Sequence, residues 1–237
     1  MYVERESVVE GAVVWQRTAV APGHARILPD GCMDLIWCDG ELLVAGPDTR
    51  AHVTVEHAGA RYVGLRLGPG MGPSVLGVPA HELRDQRVPL TALWPSAGVR
   101  RLAERLEALE AREARASMGG QARLLERVAD DRLRTAPSAD LDIRAAVALL
   151  RGGRSVAATA DAVGLSERQL HRRFLALVGY GPKVLARVLR LQRALDLARS
   201  GHAGASAAVT AGYADQAHLA REVKDLAGVP LRQLLAP

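Results

Sequence analysis

The stretch "LSERQLHRRF", residues 165–174, decides the fold of the C-terminal part of this chain. It carries three arginines and a histidine, while its apolar residues after the start, Leu170 and Phe174, lie four positions apart. Residues four apart share one face of an α-helix. Ser166 followed three positions later by Gln169 has the pattern of a capping box, which starts a helix. The stretch therefore predicts a helix with a buried edge and a basic, hydrogen-bonding front.

A second copy of this unit lies 49 residues further along the chain. At this offset the matching pairs are Ser166 and Asp215, Leu170 and Leu219, Arg172 and Arg221, Phe174 and Val223, Leu177 and Leu226, and Gly179 and Gly228. Upstream the offset is 48, with Ala160 matching Ala208 and Gly164 matching Gly212, so the second turn has one added residue. Each copy has a helix with a small residue, a turn that glycine permits, and a capped second helix. This order predicts two helix-turn-helix motifs.

The front of the first capped helix holds Arg168, His171 and Arg172, at spacings of three and four residues. They lie in its first two turns, the part of a recognition helix that reaches base edges in the major groove. Arginine can bind guanine O6 and N7 in a bidentate way. The alternative is a solvated basic face. The repeat and the charge distribution favour base contacts.

The second capped helix is less charged, because Ala217 and Ala220 stand where the first has Arg168 and His171. Its expected base contacts are Gln216, Ala217 and Arg221. Glutamine can read adenine, and alanine can contact a thymine methyl. We expect the first motif to supply most of the base specificity, and the second to add backbone anchoring and a few contacts.

The segment between the motifs, residues 181–201, predicts one continuous helix that holds them at a fixed spacing. Motifs that enter successive faces of the major groove lie about 34 Å apart. Some basic residues near this helix are expected to contact the DNA backbone, with a solvated surface role as the alternative for each: Lys183, Arg187, Arg190 and His218.

The positive charge is concentrated in the same part of the chain. The whole sequence of 237 residues has a net charge of +5, but residues 138–237 alone hold 14 basic and 8 acidic residues. This asymmetry is expected if the C-terminal part meets a polyanion. No apolar stretch reaches the roughly 18 residues of a membrane span, and the N-terminus lacks a signal pattern. A cytoplasmic location without membrane contact is expected.

The N-terminal part predicts a different architecture, rich in short strands. β-prone runs separated by turn residues begin at residues 11, 33, 41, 51 and 61. In residues 51–57, His52, Thr54 and Glu56 alternate with Val53 and Val55, which predicts a half-buried strand. The expected fold class is α+β. A β-rich, effector-sensing domain over residues 1–93, a barrel or sandwich of cupin-like kind, precedes an all-α tandem helix-turn-helix domain over residues 141–237.

Residues 94–135 predict a helical hairpin, followed by a linker over residues 136–140. The first stripe consists of Val99, Leu102, Leu106 and Leu109, and the second of Leu124, Leu125, Val128 and Leu133. Gly119 and Gly120 break the run. Two alternatives stay open: a core hairpin packed on the sheet, or a dimer seam. Glu113 falls where the next core position would lie, so any heptad is short.

An enzymatic or metal site is not favoured in the N-terminal part, and neither a catalytic residue nor a cofactor is expected. The candidate ligands are Cys32, Cys38, His24, His52, His57 and His81. The Cys-x5-Cys spacing differs from that of a zinc knuckle, so buried cysteines are expected instead. Capping or turn chemistry is expected for Asp30 and Asp34, and core positions for Trp37 and Trp94.

The C-terminal segment resembles the AraC/XylS family of bacterial transcription regulators over residues 140–237. The stretches that carry the resemblance are "LSERQLHRRFLALVGYGP", "LRLQRALDLA" and "AGYADQAHLAREVKDLAGVP". The resemblance implies two helix-turn-helix subdomains joined by a long helix, with base-facing roles for the six residues named above. Val223 departs from the family, where an aromatic is usual. The stretches "ILPDGCMDLIW", "LLVAGPDT" and "LGVPAHELRDQRVPL" resemble a domain found ahead of such pairs, with no assigned ligand.

The sequence therefore predicts a sequence-specific transcription regulator, an activator or a repressor, that binds double-stranded DNA. By analogy with related regulators, a small-molecule effector or a homodimer controls it through the N-terminal domain, and RNA polymerase is a partner if it activates. The alternative is a helical protein-interaction module that binds no DNA.

Overall fold

The computed structural model describes residues 1–112, 119–137 and 140–235, and the chain has the predicted α+β architecture. The strands are β1 Tyr2–Glu6, β2 Ala12–Thr18, β3 Gly23–Ile27, β4 Met33–Cys38, β5 Glu41–Ala45, β6 His52–Glu56, β7 Arg61–Leu67 and β8 Arg87–Pro89. The helices are α1 Gly72–Leu76, α2 Ser96–Arg112, α3 Gly119–Thr135, α4 Leu141–Arg151, α5 Val156–Ala162, α6 Glu167–Val178, α7 Pro182–Arg199, α8 Gly204–Ala211, α9 Gln216–Ala227 and α10 Leu231–Leu234. Short 3-10 helices cover Ala80–Leu83 and Leu90–Ala92.

The larger sheet is antiparallel and six-stranded, in the order β1-β2-β7-β4-β5-β8. Its central strands are largely apolar, and one face packs into the N-terminal core, where Val14, Leu35 and Leu65 are fully buried. On β7, Gly64 lies beneath the indole of Trp15, and a Cβ there would come within 2.2 Å of the ring. This close approach lets Trp15 Nε1 donate a 2.6 Å hydrogen bond to Asp34 Oδ1.

The smaller sheet consists of β3 and β6, and it inverts the burial pattern expected for β6. The strand alternates as predicted, but Val53 and Val55 are exposed while Glu56 is buried. Glu56 faces inward because Arg17 Nη2 donates a 2.7 Å hydrogen bond to its Oε2. An ion pair, rather than apolar contact, therefore fixes the buried side of this strand.

The predicted hairpin packs on the larger sheet. Val99, Leu102 and Leu106 of α2 are buried in the same core as the central strands, together with Leu124 and Leu125 of α3. Leu109, Val128 and Leu133 pack against this core from partly buried positions. The two apolar stripes therefore form a core hairpin packed on the sheet, which is the first of the two alternatives left open by the sequence. Gly119 and Gly120 open α3 rather than separate the helices. Glu113 lies outside the described residues, as does the centre of the predicted linker.

Candidate nucleic-acid interface

The first helix-turn-helix motif consists of α5 and α6. Ser166 accepts a hydrogen bond from Gln169 N, and the Gln169 side chain accepts one from Ser166 N, which completes the predicted capping box. The turn passes through Gly164 with φ +68°. Ala160, Leu170 and Phe174 are buried in a core shared with α4 and α7. The motif therefore has its own apolar support.

The front of α6 faces solvent. Arg168, His171 and Arg172 are all exposed. Arg173 points elsewhere: its guanidinium pairs with Asp140, the N-cap of α4, and with Asp142. The structure thus separates two arginines that are adjacent in sequence, leaving Arg172 open to a ligand and giving Arg173 a role in holding α4.

The second motif consists of α8 and α9 and repeats these features. Asp215 accepts a 2.7 Å hydrogen bond from His218 N, and Gly212 has φ +91°. The longer turn contains Tyr213, which is buried in the core of this motif beside Val223. Leu28, from the N-terminal part, packs against the same core. The small Val223 is thus accompanied by an aromatic from the turn and a leucine from outside the motif.

The front of α9 is also open, since Gln216, Ala217 and Arg221 are exposed. His218 is half-buried, and its ring meets Tyr213 edge-on at 5.2 Å between centroids. It also accepts a 3.4 Å hydrogen bond from Ala214 N. These contacts give His218 a structural role in the turn. Its expected contact with the DNA backbone stays a prediction.

A basic groove of about 520 Å³ lies between the two motifs, along α7. Among the described residues, its lining includes five cationic side chains and no acidic one: Arg154, Lys183, Arg187, Arg190 and Arg193. Three of them were expected from the sequence to meet phosphates. Arg193 lies on the same predicted helix as these three. Arg154 was not expected, because it joins them only when α4 and α5 pack on α7.

Two of the groove arginines also hold α9. Arg187 Nε and Nη2 lie 2.8 and 2.9 Å from the two carboxylate oxygens of Glu222. Arg190 lies 3.7 Å from Glu222 and 4.8 Å from the Tyr213 ring centroid. The hydrogen bond from Arg187 lowers the pKa of Glu222. This cluster ties the long helix to the second motif.

Comparison with known proteins agrees with this geometry. A helix-turn-helix domain family matches residues 159–236, and a domain of unknown function, DUF6597, matches residues 2–89. The C-terminal domain is an AraC-type helix-turn-helix domain. The chain therefore joins DUF6597 to an AraC-type domain and is a DNA-binding transcription regulator. No curated protein matches the chain significantly in sequence.

Solved structures extend the likeness to the whole fold. ToxT from Vibrio cholerae O395, bound to (E)-4-(8-methylnaphthalen-1-yl)but-3-enoic acid, covers 99% of this chain and 98% of its own, with 11% identity and a TM-score of 0.51. The match to wild-type ToxT from V. cholerae strain SCE256, bound to unsaturated fatty acid, covers 98% of this chain and 96% of the ToxT chain, with 11% identity and a TM-score of 0.50. The match to an AraC-type transcriptional regulator from Chromobacterium violaceum covers 40% of this chain and 89% of that regulator, with 24% identity and a TM-score of 0.38.

DUF6597 docks directly on the AraC-type domain. Ala51 N donates a 2.6 Å hydrogen bond to Leu226 O, and Arg26 Nη1 donates one of 2.8 Å to Ala227 O. These two carbonyls belong to the last turn of α9, which has no intrahelical donor for them. Gln192 of α7 donates a 2.6 Å hydrogen bond to Pro29 O. We name these three hydrogen bonds, two that end on α9 and one that comes from α7, the α9 clamp.

The first motif meets DUF6597 at a separate place. His81 Nδ1 lies 3.2 Å from Leu175 O, near the end of α6. A Cβ at Gly179 would lie 2.5 Å from Pro47 Cγ, so the backbone at the end of α6 comes close to DUF6597. These contacts leave the exposed front of α6 free.

The expected roles of several N-terminal residues are met in part. Asp30 accepts a 2.9 Å hydrogen bond from Cys32 N, which is the expected turn chemistry. Asp34, however, is neither cap nor turn residue: it lies within β4, mostly buried, between Trp15 and Arg66. Its expected role was wrong, because a residue near a strand start gives no sign of the arginine that comes from β7.

The two cysteines have the surroundings of buried side chains. Cys38 is buried and Cys32 is half-buried, and both thiols are free. Burial raises the pKa of Cys38 to about 12 and that of Cys32 well above its usual range, which disfavours the nucleophilic thiolate. Trp37 occupies the predicted core position, and Trp94 packs partly buried against the same core. None of the described helices has the length and hydropathy to span a membrane.

Proposed function

We propose that this regulator reads a specific DNA sequence through two unequal recognition helices. Base contacts come from Arg168, His171 and Arg172 of α6, and from Gln216, Ala217 and Arg221 of α9. The observation that carries the proposal is that both fronts are exposed while each motif keeps its own buried core. Helix α7, with 18 residues and a length of about 27 Å, joins the two cores.

The basic groove supports contact with the DNA backbone between the two recognition helices. Its five cations lie along α7 between the two motifs. We expect them to meet phosphates when a duplex contacts both fronts. Lys183 is exposed and has no acidic partner among the described residues, so it is the strongest of the expected backbone contacts. Neutralised phosphates release counterions, so binding should weaken steeply with salt.

The test begins with duplexes enriched by the full-length protein from a randomised pool. Their dissociation constants, titrated at several salt concentrations, should show a steep negative slope and a preference over random DNA. A protein-interaction module would show neither. The slope and the preference therefore decide between the two classes of function.

The division of labour between the helices is tested by Arg172→Ala and Arg221→Ala. Loss of a bidentate base contact costs about 1–3 kcal/mol and relaxes specificity at the contacted position. We expect a larger loss of specificity from Arg172→Ala, while Arg221→Ala weakens binding more uniformly. Arg127→Ala on α3, an exposed arginine outside the interface, is the matched control. Equal loss of specificity from both variants would contradict the unequal division.

We propose further that DUF6597 controls DNA binding, through an effector or through dimerisation, and that the protein acts in the cytoplasm. Two observations support control by an effector: the α9 clamp joins the domains, and ToxT, with a similar fold, has been crystallised with small molecules. If the regulator activates, RNA polymerase is its expected partner.

The proposed domains are residues 1–93, a hairpin over 94–135, a linker over 136–140 and a DNA-binding domain over 141–237. Limited proteolysis should cut first within 136–140.

A further inference from the structure

We propose that the basic groove contains a discrete phosphate-binding site, centred on Arg190 and Arg193, that holds a free oligophosphate such as pyrophosphate when no DNA is bound. The inference rests on the proposed contact between this groove and the DNA backbone, and it adds a second ligand for the same surface. The groove has a volume of about 520 Å³, which falls within the usual range of small-molecule sites. Its walls come from the turn between α4 and α5, from α7 and from the end of α8.

Four of the five groove cations form a stripe along one face of α7. The members of the stripe follow one another at steps of four, three and three residues: Lys183, Arg187, Arg190 and Arg193. Residues at these steps lie above one another on a helix. Arg154 reaches the same groove from the turn that precedes α5. The positive charge is therefore concentrated around one concave surface, where a small anion with several charges can meet more than one cation.

The charge balance of the groove favours a multiply charged anion. Arg187 is neutralised by Glu222, which accepts hydrogen bonds from both its Nε and its Nη2. The other four cations of the lining face no acidic side chain within it, among the residues that the structure describes. The Tyr213 hydroxyl beside them adds no negative charge at neutral pH, because burial raises its pKa to about 12. An oligophosphate matches this excess of positive charge better than a monovalent anion does.

Arg190 is held in place by the second motif and keeps unused hydrogen-bonding capacity. Its guanidinium carbon lies 4.8 Å from the ring centroid of Tyr213, and a Cβ at Gly212 would lie 3.9 Å from its Cδ. Its Nη2 is 3.7 Å from Glu222 Oε1, which is too far for a hydrogen bond. Its Nε has no hydrogen-bond partner among the described residues, while 33% of the side chain is exposed. Because buried donors are rarely left without a partner, this guanidinium is suited to receive an anion from the groove.

Arg193 is held from the opposite side, by the segment that leads into the first motif. Its Nη2 donates a hydrogen bond to Arg151 O, and a Cβ at Gly153 would lie 3.2 Å from its Nη1. A guanidinium has five N–H donors, so donors remain after this bond. An anion held by Arg190 and Arg193 would contact one side chain that is fixed by each motif. Its binding would therefore stabilise the arrangement of the two motifs around α7.

The experiment titrates the DNA-free, full-length protein with pyrophosphate by calorimetry, against sodium chloride at matched ionic strength. Pyrophosphate should bind saturably, and it should weaken binding of the enriched duplex more than chloride does. Arg190→Gln and Arg193→Gln should each weaken pyrophosphate binding about tenfold, through loss of charge-assisted hydrogen bonds. Lys183→Gln removes the same charge from an exposed side chain of the same stripe and should weaken it only about twofold. Arg127→Gln, on α3 and outside the groove, should leave it unchanged.

Three results would overturn the site. They are the absence of saturable pyrophosphate binding, equal competition with DNA by pyrophosphate and by chloride, and equal weakening by all three groove variants, which would indicate a diffuse field instead of a discrete site. If Arg190→Gln does not fold, the comparison of Arg193→Gln with Lys183→Gln decides. The failure of this proposal is distinguishable from that of the proposed function. A shallow salt slope on DNA would refute DNA binding, whereas a steep slope without saturable pyrophosphate binding would refute only the phosphate site.

Discussion

Neutralising Glu222 separates the two roles available to Arg187, which is both a groove cation and the partner of this carboxylate. In Glu222→Gln the shape is kept, but the charge that receives both hydrogen bonds of Arg187 is lost. If the pair holds α9 against α7, the variant unfolds more easily. If Arg187 instead serves DNA alone, stability is unchanged.

The magnitude follows from the burial of the two partners. The Glu222 side chain is 10% exposed, whereas that of Arg187 is 42% exposed, so water screens one end of the pair. Exposed pairs contribute about 0–1 kcal/mol, and breaking a fully buried pair costs about 3–5 kcal/mol. We expect a loss of about 2 kcal/mol. For a chain of this length, that lowers the unfolding midpoint by about 4–8 °C.

The assay is a double-mutant cycle of Glu222→Gln and Arg187→Gln, measured by urea unfolding at several pH values. A coupling energy of about 1–2 kcal/mol is expected near pH 7. Because the pKa of Glu222 is lowered in the folded state, this contribution is present above its unfolded pKa and is lost as the pH falls through the folded value. Full additivity of the two substitutions, with weaker DNA binding only in Arg187→Gln, would refute the structural role.

Three further predictions concern other parts of the chain. Because burial raises the pKa of Asp34 to about 6, the folded state binds more protons than the unfolded state between about pH 4 and 6. The contribution of Asp34 to stability is therefore lost as the pH rises through this window. Urea unfolding of Asp34→Asn should not show that loss. An unchanged pH dependence in this variant would contradict the assignment. Leu28→Ala should loosen the second motif, seen as faster hydrogen exchange in α9 but not in α6; equal acceleration in both would count against local docking. Ser166→Ala should cost about 1 kcal/mol through loss of the cap, with thermal unfolding as the measurement and Ser166→Asp as the restoring control.

The local features of the AraC-type domain could be predicted from the sequence, because neighbouring residues determine them. The capping box of Ser166, the left-handed glycines at 164 and 212, and the buried Leu170 and Leu219 follow from spacings within one helical unit. The six proposed base contacts needed no more than the side of the helix opposite this apolar edge. Their exposure agrees with that placement, and their contact with bases stays a prediction.

The features that escaped prediction depend on residues far apart in the chain. Strand β1, "YVERE", was missed because its charged residues hide an edge strand whose side chains are all exposed. The inward face of β6 depends on Arg17, 39 residues away from Glu56. The cavity that DUF6597 and α7 line together needs Arg66 beside Asp34, with Gln192 and Arg199 of α7 in the same lining. The periodicity of a single segment contains no information about contacts between residues that lie far apart in the sequence.

The hydrogen bonds that end α9 have a consequence for how such regulators can be recombined. The last carbonyls of this helix take their donors from residue 51 and from Arg26, both in the other domain. In a chimera that joins residues 141–237 to a foreign sensor, the C-terminal end of α9 would lose both donors and fray. The core of the second motif would also lose the leucine that covers it, Leu28. Successful grafts should therefore carry the β3–β6 ribbon with them, which makes that ribbon part of the transferable DNA-binding cassette.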